Sequence, residues 1–388
     1  SVLLIEDAGQ YYGFFTDAGI LKRIRFGNSP LNTPSAPENV IDSPLGNSRA
    51  LCAYVQNGIR YIFAHQSNAN PSALARFDFG DSFGNTPAAQ TINAGNVISN
   101  PGQMQLVRDV DGSIKLLVGC IQGSRVALIN FGNDVTNNTP SSTIIPIPGN
   151  WNNWAVDIIR TCAGWQMIAG GGNKLSLFNL GNTIDPDNTA PTLVGEIVSG
   201  SVGNLLSSIV GVKLFGDEGK WFVLVENSGP SGTLANHTVV LGLGNAGALS
   251  VPATYAANFS GPGDALGLSG LRFEGQNIFL GCLAYGGGGT GGQLYLSRFI
   301  PPCDLPPFTG IDPPPVMYQN PGCRNIGLYA QSNDGTNHIY GLPICVSGAV
   351  ADFSTSVACS GSITTFFNQT QAFAPNATQW QWNFGDQS

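Results

Sequence analysis

The sequence predicts an all-β protein: a β-propeller of seven blades, with six as the runner-up count, followed by part of a β-sandwich. Three observations carry this. First, the segment Arg25-Phe26-Gly27-Asn28-Ser29-Pro30-Leu31-Asn32-Thr33-Pro34 is rewritten along the chain. It returns around Phe79-Gly80, Phe131-Gly132, Leu180-Gly181 and, in worn form, Leu243-Gly244, so its glycines step by 53, 52, 49 and 63 residues. Periods of this size belong to propellers, solenoids and arrays. Second, Gly-centred turns recur out of phase with that segment, at Gly9, Gly58, Gly112, Gly164, Gly219, Gly275 and Gly335. Asn-Gly and Asp-Gly between alternating apolar runs mark hairpins, because type I′ turns need positive φ at both central residues. Seven such hairpins imply seven units. Third, charged residues are only 10% of the chain, Gly reaches 51 and Pro 25, a composition poor in helix formers and typical of extracellular all-β proteins.

Taken in order, the units span approximately 1–42, 43–97, 98–149, 150–199, 200–259 and 260–317. The third shows the plan: Met104–Arg108, the Asp111-Gly112 turn, Ile114–Cys120, Arg125–Phe131 and Ser142–Ile147. Four short antiparallel strands repeated radially solve the edge-strand problem as a propeller. The Phe-Gly-Asn segment then lies between third and fourth strands, with Gly permitting a left-handed residue, Pro starting the edge strand and Phe packing between units. The seventh unit is short, Arg324–Ala330 and His338–Cys345 around Asp334-Gly335. Pro301-Pro302 to Pro313-Pro314-Pro315 is an extended surface insert, and Gly286–Gly292 is a hairpin tip that lacks the Lys and helix of a phosphate loop.

After Cys345 the pattern changes. Gln379-Trp380-Gln381-Trp382-Asn383-Phe384-Gly385-Asp386 resembles the aromatic-x-Trp-Asp-Phe-Gly-Asp-Gly signature of a PKD domain, an immunoglobulin-like module, with Asn383 and Gln387 replacing the usual Asp and Gly. About half such a module is present, so the polypeptide is expected to continue. This divides the chain into a propeller, 1–346, and a partial PKD-like domain, 347–388. The blade motif Arg76-Phe77-Asp78-Phe79-Gly80-Asp81-Ser82, together with Tyr340-Gly341-Leu342-Pro343, resembles the large surface proteins of gliding Bacteroidetes exported by the type IX pathway. That resemblance implies a cell-surface adhesin of the gliding-motility type, with outer-membrane secretion or motility proteins among its partners.

The net charge of −8 and the 16 thinly spread Lys and Arg argue against nucleic acid and anionic membranes as partners. No apolar run is long enough to cross a bilayer as a helix, so direct membrane insertion is not expected, and Ser1-Val2-Leu3-Leu4-Ile5-Glu6-Asp7 is not a signal peptide. The eight cysteines suit an oxidising compartment. Cys52, Cys120, Cys162 and Cys282 fall in strand-like runs and read as buried thiols. Cys303, Cys323, Cys345 and Cys359 fall in the loop-rich last quarter and are the disulfide candidates, with connectivity open.

Most acidic residues sit in turns; Asp157 and Glu226 lie on strand-like runs. His65, His237 and His338 are too scattered for a zinc site or a catalytic triad, so no metal, cofactor or catalytic residue is expected. Asp109-Val110-Asp111-Gly112 reads as a hairpin rather than a calcium loop. Trp151 and Trp154, on the connection into the fourth unit, offer ring faces for stacking on a sugar or a protein, and with Asp157 they are the candidate binding residues. Trp165, Trp221, Tyr11, Tyr12 and Tyr285 are further ring faces. The expectation is a non-enzymatic extracellular adhesin head binding carbohydrate or protein. The alternatives are a propeller glycan-active hydrolase centred on Asp157 and a structural part of a secretion or motility assembly.

Overall fold

The computed structural model describes residues 2–17, 19–44, 48–66, 73–120, 125–147, 155–161, 163–184, 191–202, 204–217, 220–227, 237–245, 249, 255–260, 265–273, 276–283, 293–299, 322–331, 337–346, 353–355 and 366–368. The chain forms two compact units, Ser1–Phe299 and Ile300–Ser388.

The first unit holds five four-stranded antiparallel sheets, each in simple sequence order. They are Val2–Asp7, Gln10–Asp17, Ile20–Gly27 and Glu38–Asp42 (β1–β4); Ser48–Gln56, Ile59–Gln66, Ala73–Asp78 and Ala88–Asn93 (β5–β8); Pro101–Arg108, Ile114–Cys120, Arg125–Asn130 and Ser141–Pro146 (β9–β12); Ala155–Thr161, Gly164–Gly171, Lys174–Gly181 and Thr192–Val198 (β13–β16); and Ile209–Asp217, Lys220–Asn227, His237–Asn245 and Tyr255–Ser260 (β17–β20). A sixth, three-stranded sheet follows, with Ala265–Phe273, Gln276–Leu283 and Gln293–Phe299 (β21–β23). The described residues form a β-propeller with five full blades, and each blade falls, to within a residue, inside the unit that the sequence period marks out.

The turn chemistry explains the hairpins. Ala8 and Gly9 have φ of 51° and 76°, and Asn57 and Gly58 have 52° and 79°, the pair of left-handed residues that a two-residue hairpin loop demands. The longer third turn closes by Gly112 N–H donating to the Asp109 carbonyl at 3.0 Å.

Apolar clusters fill the gaps between neighbouring sheets. Leu21, Leu51, Phe77 and Phe83 join the first and second; Phe63, Leu116 and Phe131 the second and third; Leu128, Val156 and Phe178 the third and fourth; Leu177, Val212 and Val239 the fourth and fifth. Phe215, Phe222 and Phe279 join the fifth to the sixth sheet, and Leu4, Phe26 and Leu280 join the sixth back to the first. The residue before each repeat glycine, namely Phe26, Phe79, Phe131, Leu180 and Leu243, packs against the preceding sheet, as the sequence predicts.

The repeated segment has a second role. Its Asn folds the loop shut by donating to the carbonyl of that same Phe, from Asn32 to Phe26 at 2.8 Å, Asn85 to Phe79 at 3.0 Å and Asn137 to Phe131 at 3.2 Å. The buried apolar residue in the middle of the loop is then held by the blade before it. Phe83 N–H donates to Asp7 at 2.8 Å and its carbonyl accepts from Arg23 at 2.6 Å. Val135 repeats this with Gln56 at 2.8 Å and Arg76 at 3.1 Å. Ile184 N–H donates to Asp109 and Leu249 N–H to Gln166, both at 2.8 Å. A backbone group buried at a blade junction needs a partner, and each blade supplies it to the next. In the first blade the corresponding residue is Pro30, which has no N–H to satisfy.

The seven-blade expectation is corrected here. The hairpin counted as the seventh blade, Gly322–Gln331 and Asn337–Val346 (β24, β25), is a two-stranded sheet of the second unit. It shares the period and the turn signal of a blade, yet it belongs to the other compact body. The rest of the described second unit is the short pair Phe353–Thr355 and Phe366–Asn368 (β26, β27). The Trp380–Asp386 run that carries the PKD resemblance lies outside the described residues, as do the Pro-rich insert and the Gly-rich tip.

Candidate functional site

Sheet order and packing place β1, β5, β9, β13, β17 and β21 innermost, each presenting one unladdered edge toward the axis. Unpaired N–H and C=O groups along such edges must be satisfied, and here polar side chains do it. Gln103 of β9 reaches past the fourth blade to β17, donating from Nε2 to the Val212 carbonyl at 2.7 Å while Oε1 accepts from Val212 N–H at 3.0 Å. Ser269 of β21 accepts from Leu4 N–H of β1 at 2.9 Å.

Asp157 of β13 is the third such residue. Its Oδ2 accepts from Leu214 N–H at 2.7 Å and lies 3.1 Å from Lys213 Nζ, while Oδ1 accepts from Ile158 N–H at 2.9 Å. Leu214 and Val212 have the same parity on β17, so both N–H groups point from the axial edge and Asp157 lies against that edge. The carboxylate is 1% exposed. Taking it out of water is costly, and two backbone donors and a cation offset that cost. The Lys213 side chain, 22% exposed, joins this buried anion to the wetter side of the strand.

Glu226 of β18 is also fully buried and stands opposite Gly211 in the register of β17 and β18. Asp157 and Glu226 therefore attach to neighbouring stretches of the same innermost strand. The other buried acids are blade connectors. Asp7 binds Arg60, Ser82 and Phe83. Burial alone would raise its pKa, but the Phe83 N–H, Arg60 and Ser82 together hold it below the ordinary carboxylate value. Asp109 accepts from Trp165 Nε1, Val110 N–H and Ile184 N–H, so its segment is a hairpin corner and not half a calcium loop.

Of the three predicted binding residues, Asp157 is at the axis, whereas Trp151 and Trp154 lie outside the described residues. Trp165 is buried against the third blade, and Trp221 and Tyr11 pack at blade junctions, so these rings are scaffold. Tyr12 is buried beneath the Arg25 guanidinium, 5.7 Å from its ring centre. Cys52 and Cys120 are buried free thiols, and burial pushes both above the usual thiol value. Cys323 and Cys345 are on β24 and β25, while Cys303 and Cys359 lie outside the described residues. Sequence reasoning missed Gln103, Lys213 and Ser269. A signal existed for Gln103: it is a polar residue at the third position of its innermost strand, as Asp157 is of its own.

No family profile matches the chain, and no curated protein matches it. Solved structures with a similar fold include a GH43 β-1,3-galactosidase with galactodeoxynojirimycin, at 11% identity and TM-score 0.44, covering 64% of this chain and 92% of that one. An exo-β-1,3-galactanase from Phanerochaete chrysosporium with galactose matches at 11% and 0.44, over 89% and 88%. A GH32 β-fructofuranosidase from Bombyx mori matches at 11% and 0.42, over 61% of this chain and about half, 55%, of that one. At such identity and TM-score the likeness does not assign a function to this chain. The three neighbours are named as glycosidases, so the expectation of a non-enzymatic adhesin head is not the reading they favour and is set aside, and the hydrolase alternative is taken up for testing.

Proposed function

We propose that the first unit is a glycan-active hydrolase working at the propeller axis, with Asp157 as the carboxylate that supports the chemistry. The observation that carries this reading is the placement of Asp157, a fully buried acid in the middle of an innermost strand, against the axial edge of β17 and paired with Lys213. Glycoside hydrolysis passes through an oxocarbenium-like transition state. A fixed carboxylate in a site poor in water stabilises such developing charge far more than it would in bulk solvent. Lys213 is the group that must turn aside, or be displaced by substrate hydroxyls, for Asp157 to face that charge. Hydrolysis uses a pair of carboxylates, and Glu226 is the second acid to examine. The same proposal keeps carbohydrate as the partner and sets the protein outside the cell, with a PKD-like run after residue 346.

The test is release of reducing ends by the full chain from a panel of plant, fungal and bacterial polysaccharides. Turnover of at least one glycan, with kcat/KM falling on the order of a hundredfold or more in Asp157→Asn and the pH–rate profile changing shape, is expected. Silence of the wild-type chain across the panel, or unchanged turnover by the variant, overturns the proposal.

A further inference from the structure

We infer that Cys323 and Cys345 form a disulfide that staples the β24–β25 hairpin across its open end, independently of the activity proposed above. The register of the hairpin sets Cys323 opposite Cys345, one pair in from the terminal Gly322 and Val346. Directly opposed residues of an antiparallel pair have Cα atoms about 4.5–5.5 Å apart and lie on one face of the ribbon. That separation falls within the roughly 4.4–6.8 Å that a disulfide spans. The pairs on either side, Gly322 with Val346 and Arg324 with Ile344, offer no cysteine, so within the hairpin Cys323 faces Cys345 and no other cysteine.

The hairpin also has a use for the bond. A two-stranded ribbon is marginal by itself in water, and among the described residues β24 and β25 pair with each other alone. The short chain connection beyond the Gln331 and Asn337 pair ties them at one end, and a covalent link at Cys323 and Cys345 ties the other, where fraying begins. Cys52 and Cys120 are the contrast. They sit in the apolar cluster between the second and third blades as thiols, where packing already holds the chain.

The chemistry balances as thiol–disulfide exchange. One cysteine thiolate attacks a disulfide-bearing oxidant, expelling one of its sulfurs as a thiolate. The second cysteine thiolate then attacks the mixed disulfide and releases the other sulfur. The two cysteines lose two protons and two electrons in all, and the oxidant leaves as a dithiol. Such a bond persists in an oxidising compartment.

Mass spectrometry tests this on the full chain made in an oxidising compartment, with free thiols alkylated before any cleavage and no reductant added. Cutting after Arg and before Asp puts Cys323 on fragment 312–324 and Cys345 on fragment 334–351, with Cys303 and Cys359 on separate fragments. The expected result is fragments 312–324 and 334–351 joined as one ion, two hydrogens lighter than their sum, and separated by reduction. In Cys345→Ser, Cys323 becomes alkylated and that ion disappears. Alkylated Cys323 and Cys345 in the wild-type chain, or either one joined to the Cys303 or Cys359 fragment, would overturn the inference.

Discussion

Replacing Asp109 by Ala removes the acceptor through which the third blade holds the fourth. Three donors converge on this carboxylate: Trp165 Nε1 and Val110 N–H on Oδ1, and Ile184 N–H on Oδ2. Trp165 and Ile184 are buried, at 6% and 1% exposure, so their N–H groups have no water to turn to. An unsatisfied buried donor costs about 1–3 kcal/mol, which puts the loss for Asp109→Ala at about 2–6 kcal/mol, while Val110 N–H is partly exposed and adds little. Asp109→Asn keeps one acceptor oxygen but sets an NH2 against the other donor, so about half that loss is expected. Asp111 is the control in the same turn: its bonds run to its neighbour Ser113, and its replacement by Ala should cost under about 1 kcal/mol. Equilibrium urea unfolding followed by tryptophan fluorescence reads both, with Trp165 itself at the junction. A midpoint for Asp109→Ala close to wild type, or a loss at Asp111 equal to that at Asp109, would refute the assignment of Asp109 as an interblade connector.

Other consequences are as direct. Acid should loosen the first two blades. The folded pKa of Asp7 is depressed, so its contribution is fully present above the unfolded carboxylate value near 3.8 and is lost as pH falls through the lower folded value; thermal midpoints of wild type and Asp7→Asn should converge toward pH 2–3. Gly164→Ala places a Cβ 2.3 Å from the Gly181 carbonyl at φ +99°, and a loss of about 2–4 kcal/mol in unfolding free energy is expected. Gln103→Ala leaves the Val212 N–H and carbonyl without their amide partner. A loss of about 1–3 kcal/mol should appear as earlier hydrogen exchange at Val212, with exchange in the first blade unchanged.

The fold was legible where backbone geometry restricts residue choice. Hairpins with two left-handed residues admit Asn-Gly or a close substitute, and Ala8-Gly9 and Asn57-Gly58 mark turns between first and second strands in this way. The repeat glycines are legible for the same reason, since Gly27, Gly80, Gly132, Gly181 and Gly244 all have positive φ. The connectors between blades were not. They join residues 75 to 83 positions apart, and Asp and Gln alternate in one role because either can accept a backbone N–H. Blade count failed for a related reason: β24–β25 obeys the same local rules as a blade, and only tertiary packing decides which sheet closes the ring. At the axis, Asp157 was found as an acid in an apolar run. Lys213 and Gln103 passed unnoticed, because Lys213 gains its meaning from Asp157 on the neighbouring innermost strand and Gln103 from Val212 beyond the fourth blade.

The central claim is that Asp157 serves chemistry at the axis while the other buried aspartates serve the scaffold. Its most direct measurement is kcat/KM on the glycan the full chain turns over, compared between Asp157→Asn and Asp109→Asn at a temperature where both remain folded. The account predicts a fall on the order of a hundredfold or more for Asp157→Asn and an unchanged value for Asp109→Asn. Equal effects in the two variants, or no turnover by the wild-type chain on any glycan, would contradict it.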